Sequence, residues 1–351
     1  MTSEITRVDH VDIERLLHPS GARRHAMRGF DDEFVDIVDY IVRITHRIWE
    51  EKRVDLIYDY YSHNCLVHGA RGDTLGREAV IASTVQTMHA FPGRRPFAEE
   101  VIWGGDDARG FYSSHRITGT GHNYGYSGYG PPTGKLVHWR TIADCFVKEN
   151  RITEEWIVRD ELSVVRQLGL DPRAVARAVA GRMPHSFFAE VGAKVERHTA
   201  GGLPEPLAPG ADQHDAGEQV RQLIHALWNA RALGLIYQRF APNFRCHGTS
   251  GRELVGQDDY LQYLLSLLAA LPNARLLVEH VCVVNDDRGG ANVALRWTLI
   301  GTHEGFGIYG APTGRPVWVL GISHFRVSGG LIQEEWTVFD EIALMAQLSP
   351  Q

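Results

Sequence analysis

Apolar positions along the chain change their spacing in a fixed order, and that order occurs twice. Phe34, Ile37, Ile41, Ile44 and Ile48 recur at the interval that places them on one face of a helix, as do Val220, Leu223, Ile224 and Leu227. A shorter helix is predicted around 54–61 and again around 233–240. A further helix begins near Gly76 and near Gly256, with Val80, Thr84 and Met88 on one face of the first and Tyr260, Leu264 and Leu268 on one face of the second. Both end where Phe91-Pro92 and Leu271-Pro272 stand, because proline cannot continue a helix. The pattern then becomes strand-like, interrupted by the turn clusters 104–107, 148–150, 285–287 and 328–330. Helices first and antiparallel strands afterwards predict the α+β class, with a strongly curved sheet closed on one side by helices around a pocket.

The two passages align residue by residue. HWRTIADCFVKENRITEEWIVRDELSVVRQLG (138–169) matches WVLGISHFRVSGGLIQEEWTVFDEIALMAQLS (318–349), pairing Glu154 with Glu334, Trp156 with Trp336 and Asp160 with Asp340. GYGPPTGK (128–135) likewise pairs with IYGAPTGR (308–315), and Val67-His68-Gly69 with Cys246-His247-Gly248. The chain is therefore read as a tandem duplication. The expected division is an N-terminal arm at 1–29, loosely attached; a first domain at 30–170; a helix and flexible linker at 171–214; and a second domain at 215–351. Two equal domains on one chain suggest an internal pseudo-dimer that keeps an ancestral subunit contact, with further homo-oligomers open.

Composition narrows the partners. A formal charge of −7 with dispersed basic residues argues against nucleic acid, and no apolar run reaches membrane-spanning length. The polar, acidic start MTSEITRVDH is unlike a signal peptide, so a cytoplasmic location is the expectation. Cys65, Cys145, Cys246 and Cys282 form no C-x-x-C pair and are expected as buried apolar residues. The histidines show no H-x-E-H or H-x-H pattern, and no metal or other cofactor is expected.

Candidate chemistry concentrates in HRITGTGHNYGYSGYGPPTGKLVHWR (115–140). His122 and Arg116 are candidate catalytic groups there, and Tyr124, Tyr126, Tyr129, His138 and Trp139 candidate substrate contacts. The corresponding 295–320 stretch keeps Arg296, His303 and Tyr309 but is plainer, so the first copy is expected to be the more specialised. His68, which like His247 precedes a glycine, is a candidate acid/base group or a turn-fixing residue. Trp156 is a candidate substrate contact or a core aromatic. Alternation sends Tyr124 and Tyr126 to one face and His138, Arg140 and Asp144 to one face of the next strand, without showing which face lines the cavity.

The Thr-Gly hairpins (Gly130–Lys135, Gly310–Arg315) and the I-x-E-x-W-x-x-x-D tails that run to Gln-Leu (Ile152–Gly169, Ile332–Leu348) resemble the SnoaL-like polyketide cyclase branch of the nuclear transport factor 2-like superfamily. The resemblance covers both domains. It implies two cone-shaped α+β barrels, no cofactor, and functions from ring closure through epoxide opening, isomerisation and lyase reactions to plain binding. The acid/base aspartate of the cyclases carries over to Asp160 and Asp340. A histidine that assists one strand earlier in some members falls near His324 in the second copy, where the first copy departs with Asp144. The tandem layout is also similar to lyases that release a hydroxymethyl carbon of lignin-derived diaryl compounds as formaldehyde. The resulting expectation is a cofactor-independent lyase, isomerase or cyclase on a small, largely apolar, aromatic substrate, with Asp160, His122, His68, Arg116, Asp340 and His303 as catalytic candidates. The alternative is a non-catalytic binding or interaction protein of the same fold.

Overall fold

The computed structural model describes residues 7–200, 216–286 and 289–350. The chain divides into two compact units, Met1–Leu170 and Asp171–Gln351, named unit 1 and unit 2. The last part of the helix and linker expected at 171–214, from 201 onward, falls outside the described residues, as does part of the turn at 285–287.

Unit 1 opens with α1 (Ile13–Leu17) and α2 (Ile37–Trp49). Asp36 caps α2, its carboxylate accepting from the Asp39 amide at 2.7 Å, and Ile37, Ile41, Ile44 and Ile48 form the buried face, as their spacing predicts. A single 3₁₀ turn leads into α3 (Ile57–Tyr60), then β1 (Tyr61–Gly69), β2 (Gly72–Leu75), α4 (Arg77–Ala90), β3 (Arg95–Asp106), β4 (Gly110–His122), β5 (Leu136–Lys148), β6 (Arg151–Arg159) and α5 (Glu161–Gln167). The six strands lie in the order β2-β1-β6-β5-β4-β3. All neighbours are antiparallel except β1 and β6. The strand pair before α4 and the parallel contact are departures from the antiparallel arrangement expected. The strand pair is a local hairpin of β1 and β2, and the parallel contact comes from the return of β6 to β1, ninety residues earlier in sequence. Register shifts in β1, β3 and β6 bend the sheet. The sheet curls without closing, and α2 and α4 lie across its concave face.

Residues 7–29 are not a loose arm. Arg7 bridges Glu100 on β3, Val8 and Met27 are buried in the core with Phe30, Phe34 and Tyr40, and Arg23 donates to the carbonyls of Met27, Phe30 and Phe34. Apolar side chains spread singly through a polar stretch carry no periodic signal, which is why the sequence hides this packing.

Unit 2 begins with α6 (Pro172–Ala180) and α7 (His185–Thr199), which pack on α11 and on β10 and β11 respectively. The helical part of the expected linker is therefore part of the second unit. There follow α8 (Ala216–Trp228), α9 (Ile236–Arg239), β7 (Phe240–His247), β8 (Glu253–Val255), α10 (Gly256–Ala270), β9 (Arg275–Asn285), β10 (Ala291–Thr302), β11 (Pro316–Ser328), β12 (Leu331–Phe339) and α11 (Glu341–Leu348), with the sheet order β8-β7-β12-β11-β10-β9. The topology is that of unit 1, including the parallel β7–β12 pair. All four cysteines are buried, and none forms a disulfide. Among the described residues no helix is long and apolar enough to cross a membrane.

Candidate active site

Strand alternation decides what faces the interior of each cone. In unit 1, His115 and Ile117 of β4, Thr141, Ala143 and Cys145 of β5, and Glu155, Ile157 and Arg159 of β6 turn inward. The register places Cys145 opposite Glu155, Ala143 opposite both His115 and Ile157, and Thr141 opposite both Ile117 and Arg159. With Ile41, Ile44 and Ile48 from α2 and Val80, Ser83, Thr84 and Thr87 from α4, they enclose a cavity of about 320 Å³.

Glu155 is the carboxyl of this cavity, and it is only 8% exposed. Removal from water pushes its pKa up to about 7, while the Tyr61 hydroxyl, which donates to Oε2 at 3.1 Å, draws it back down. Burial raises the Tyr61 phenol well above its ordinary value, so Tyr61 stays protonated and remains a donor. At the other end lie two guanidiniums, Arg94 and Arg159. Arg94 is sandwiched between the rings of Trp49 and Trp139, at 4.1 and 5.3 Å from their centroids. Burial and the charge of Arg159 push it down to about 9, which still leaves it cationic at neutral pH. The Cys145 thiol is raised well above its ordinary value by burial, which removes the thiolate that nucleophilic chemistry requires. Among the described residues no three His, Cys, Asp or Glu side chains converge as a metal site.

The candidate residues named from the sequence stand elsewhere; of the stretch 115–140 only His115 and Ile117 line the cavity. Asp160 and Asp340 are helix N-caps, accepting from the amides of Ser163 at 3.1 Å and Ala343 at 2.8 Å. Arg116 points to the opposite face from its neighbour His115, where it pairs with Glu99 at 2.7 Å and Glu100 at 3.0 Å. His68 lies on that same outer face, held by Asp73 at 2.9 Å and Glu154 at 3.0 Å and stacked on Trp156. His247, Glu253 and Trp336 repeat that arrangement in unit 2. Asp144 and His324 also fall on the faces turned away from the cavities, between the inward residues 143 and 145, and 323 and 325.

His122 stacks on Tyr124 at the end of β4, and Tyr124 and Tyr126 are exposed. Tyr129 donates to the Glu161 carboxylate, as Tyr309 does to Glu341. Trp139 packs with Phe91, Val164 and Leu168 beyond the cavity and over Gly119, where a Cβ would stand 2.4 Å from its ring. His138 is exposed, its backbone amide bonded to Gln167. His303 anchors the 303–313 hairpin through the Thr313 hydroxyl at 3.2 Å, just as Asn123 holds Thr133.

Glu155 went unnoticed because the E-E-W run does not reveal which carboxylate faces inward. The available signal was its alternation with Ile157 and Arg159.

The equivalent cone of unit 2 is filled. Trp297, Leu299, Phe325 and Phe339 stand where unit 1 has Ile117, Gly119, Cys145 and Arg159, and the cavity shrinks to about 50 Å³. The Trp297 indole N–H donates to Ser323 Oγ at 3.0 Å. Glu335, the counterpart of Glu155, is also raised to about 7 by burial, and it accepts from the Thr337 hydroxyl. Ala274 replaces Arg94.

Two solved structures are similar to about two fifths of the chain. A protein of Jannaschia sp. assigned as a SnoaL-like polyketide cyclase is 22% identical, matching 40% of this chain and 100% of its own, with a TM-score of 0.35. IdmH of Streptomyces antibioticus, assigned as a polyketide cyclase, is 24% identical over 39% of this chain and 99% of its own, with a TM-score of 0.34. Among curated proteins, none matches this sequence. The sequence profile of the SnoaL-like polyketide cyclases, however, matches residues 39–168 and again 218–348, one stretch in each unit. Repeated topology and a twice-matched profile agree: the chain belongs to the SnoaL-like polyketide cyclase family.

Proposed function

We propose that unit 1 is a cofactor-independent acid/base enzyme and that Glu155 is its proton-transfer group. The observation that carries this reading is a carboxyl held at a pKa of about 7 inside a cavity of about 320 Å³, with Tyr61 fixing one of its oxygens. A group poised near neutrality transfers protons in both directions at the lowest combined cost. As carboxylate, Glu155 takes a proton from carbon next to a carbonyl. The C–H electron pair moves onto the carbonyl oxygen as an enolate, and the proton returns from Glu155 at a later step. Attack of the enolate on a second carbonyl closes a ring, reprotonation at another carbon isomerises, and the reverse of an aldol addition cleaves. The apolar wall formed by Ile41, Ile44 and Ile48 of α2 suits a flat, largely apolar substrate, while α4 faces it with Val80 and the hydroxyls of Ser83, Thr84 and Thr87.

Formaldehyde release from a hydroxymethyl diaryl compound is a narrower reading within the same class. The filled cone of unit 2 favours a non-catalytic, supporting role for that half.

The test is solvent deuterium incorporation into a β-keto ester, followed by NMR, alongside turnover of a hydroxymethyl diaryl diol and an epoxide. Glu155→Gln is expected to lower the rate by roughly 10²-fold or more. The wild-type rate should rise through an inflection near pH 7 as Glu155 ionises. Equal rates in Glu155→Gln and wild type would remove Glu155 from the chemistry. No exchange and no turnover on any of the three would favour the binding-protein reading.

A further inference from the structure

Arg94 is only 6% exposed, and its Nε and Nη1 atoms are buried without a hydrogen-bond partner. A buried guanidinium with unused donors is costly, so a fold does not retain one for packing alone. The duplication supplies an internal control: the second unit builds the same sheet with Ala274 at this place and with Phe339 in place of Arg159. Neither cation is needed to form the cone. Arg159 reaches Glu161 at 3.5 Å through Nη1, whereas its Nε is likewise buried and unpartnered. Arg94 makes no ion pair among the described residues. The indoles of Trp49 and Trp139 lie against the guanidinium, which lines the cavity.

Glu155 and Arg159 share one face of β6, four residues apart, which separates them by about 13 Å along the strand. The cavity is therefore polar at both ends, with Ile117, Ala143 and Ile157 along the floor between them and His115 the one polar side chain of β4 beside Ala143. We propose that the Arg94–Arg159 end is a carboxylate-binding subsite, and that unit 1 acts on an elongated, flat carboxylic acid whose carboxylate rests on Arg94 while its reacting carbon lies beside Glu155. The placement of the reacting carbon rests on the acid/base reading of Glu155; the carboxylate subsite does not. A planar fork facing a planar carboxylate allows two parallel charge-assisted hydrogen bonds, through Nη2 together with one of its neighbours, Nε or Nη1.

Calorimetric titration of the full chain with trans-cinnamate and with its neutral isostere trans-cinnamide separates charge recognition from shape. Cinnamate is expected to bind at least tenfold more tightly. Arg94→Ala, which installs the residue unit 2 already carries, should weaken cinnamate about ten- to a hundred-fold and leave cinnamide unchanged. Glu155→Gln should retain cinnamate binding even where it abolishes proton exchange, so failure of the subsite and failure of the acid/base reading give different results. Cinnamate binding no tighter than cinnamide in the wild type, or an unchanged ratio in Arg94→Ala, would overturn the proposal. Should Arg94→Ala not fold, the wild-type ratio decides together with Arg94→Lys, which keeps the charge, loses the fork and is expected to reduce the preference only partly.

Discussion

Two carboxylates five residues apart in sequence show how local context assigns a role. Asp160 ends β6 and accepts the Ser163 amide, so its charge is used on an orphan donor at the start of α5. Glu155 has a single hydroxyl partner and a cavity in front of it. Asp160 recurs as Asp340 with the same capping bond, which marks it as part of the scaffold. Asp160→Ala is accordingly expected to cost about 1 kcal/mol of stability, read from denaturant unfolding, while Asp160→Asn, which preserves a capping oxygen, stays close to wild type in both stability and deuterium exchange. Loss of exchange in a stably folded Asp160→Asn would return that aspartate to the chemistry.

Between the two sheets the difference lies in which inward positions are large. On β10, Trp297 stands across the centre of its cone over Gly321, where a Cβ would come within 2.1 Å of the indole. On β5, Trp139 stands over Gly119 and packs beyond the cavity, leaving Ile117 and Thr141 at the centre. One tryptophan–glycine contact moved along the sheet thus separates an open cone from a filled one. Trp297→Ile, which restores the residue of the first copy, removes volume from a packed core and leaves the Ser323 hydroxyl without its indole donor. Its expected cost is about 2–3 kcal/mol by thermal unfolding. A neutral Tm would show that the surrounding leucines and Phe325 collapse into the space.

Two of the buried glutamates among the described residues, Glu155 and Glu335, one per unit, have a folded-state pKa of about 7 against an ordinary value of 4.5. Below pH 4.5 both are protonated in folded and unfolded chains alike. Between 4.5 and 7 the unfolded chain has released the proton and the folded chain retains it, so stability falls as pH rises, by about 3 kcal/mol per site across that window. Above 7 the dependence ends. Glu335→Gln should remove its half: thermal melts at pH 5 and pH 8 are expected to differ less in this variant than in the wild type. An unchanged difference would mean that Glu335 ionises as readily in the folded as in the unfolded chain.

What could be deduced in advance follows from what is local. The helical face of Phe34 to Ile48, the proline stops at Pro92 and Pro272, the hairpin turns and the 180-residue repeat are properties of neighbouring positions, and the α+β class and the family resemblance rest on them. The greater density of histidine, tyrosine and arginine in the first copy was also visible. The inward face, by contrast, depends on strand register and on which side the helices lie, and a shift by one residue exchanges Glu155 for Trp156 or His115 for Arg116. The stretch 115–140 drew attention through its density of histidine and tyrosine, yet most of those side chains point outward or hold the hairpin. Arg94 stands just after the proline stop, with no periodic pattern to mark it, and only the fold sets it between Trp49 and Trp139, forty-five residues away on either side. Sequence alone determined the elements, their order and their duplication, because these depend on near neighbours. The placement of a carboxyl and two guanidiniums at opposite ends of one cavity, and the filling of the other, were decided by tertiary structure, because burial and pKa depend on what distant strands and helices bring together.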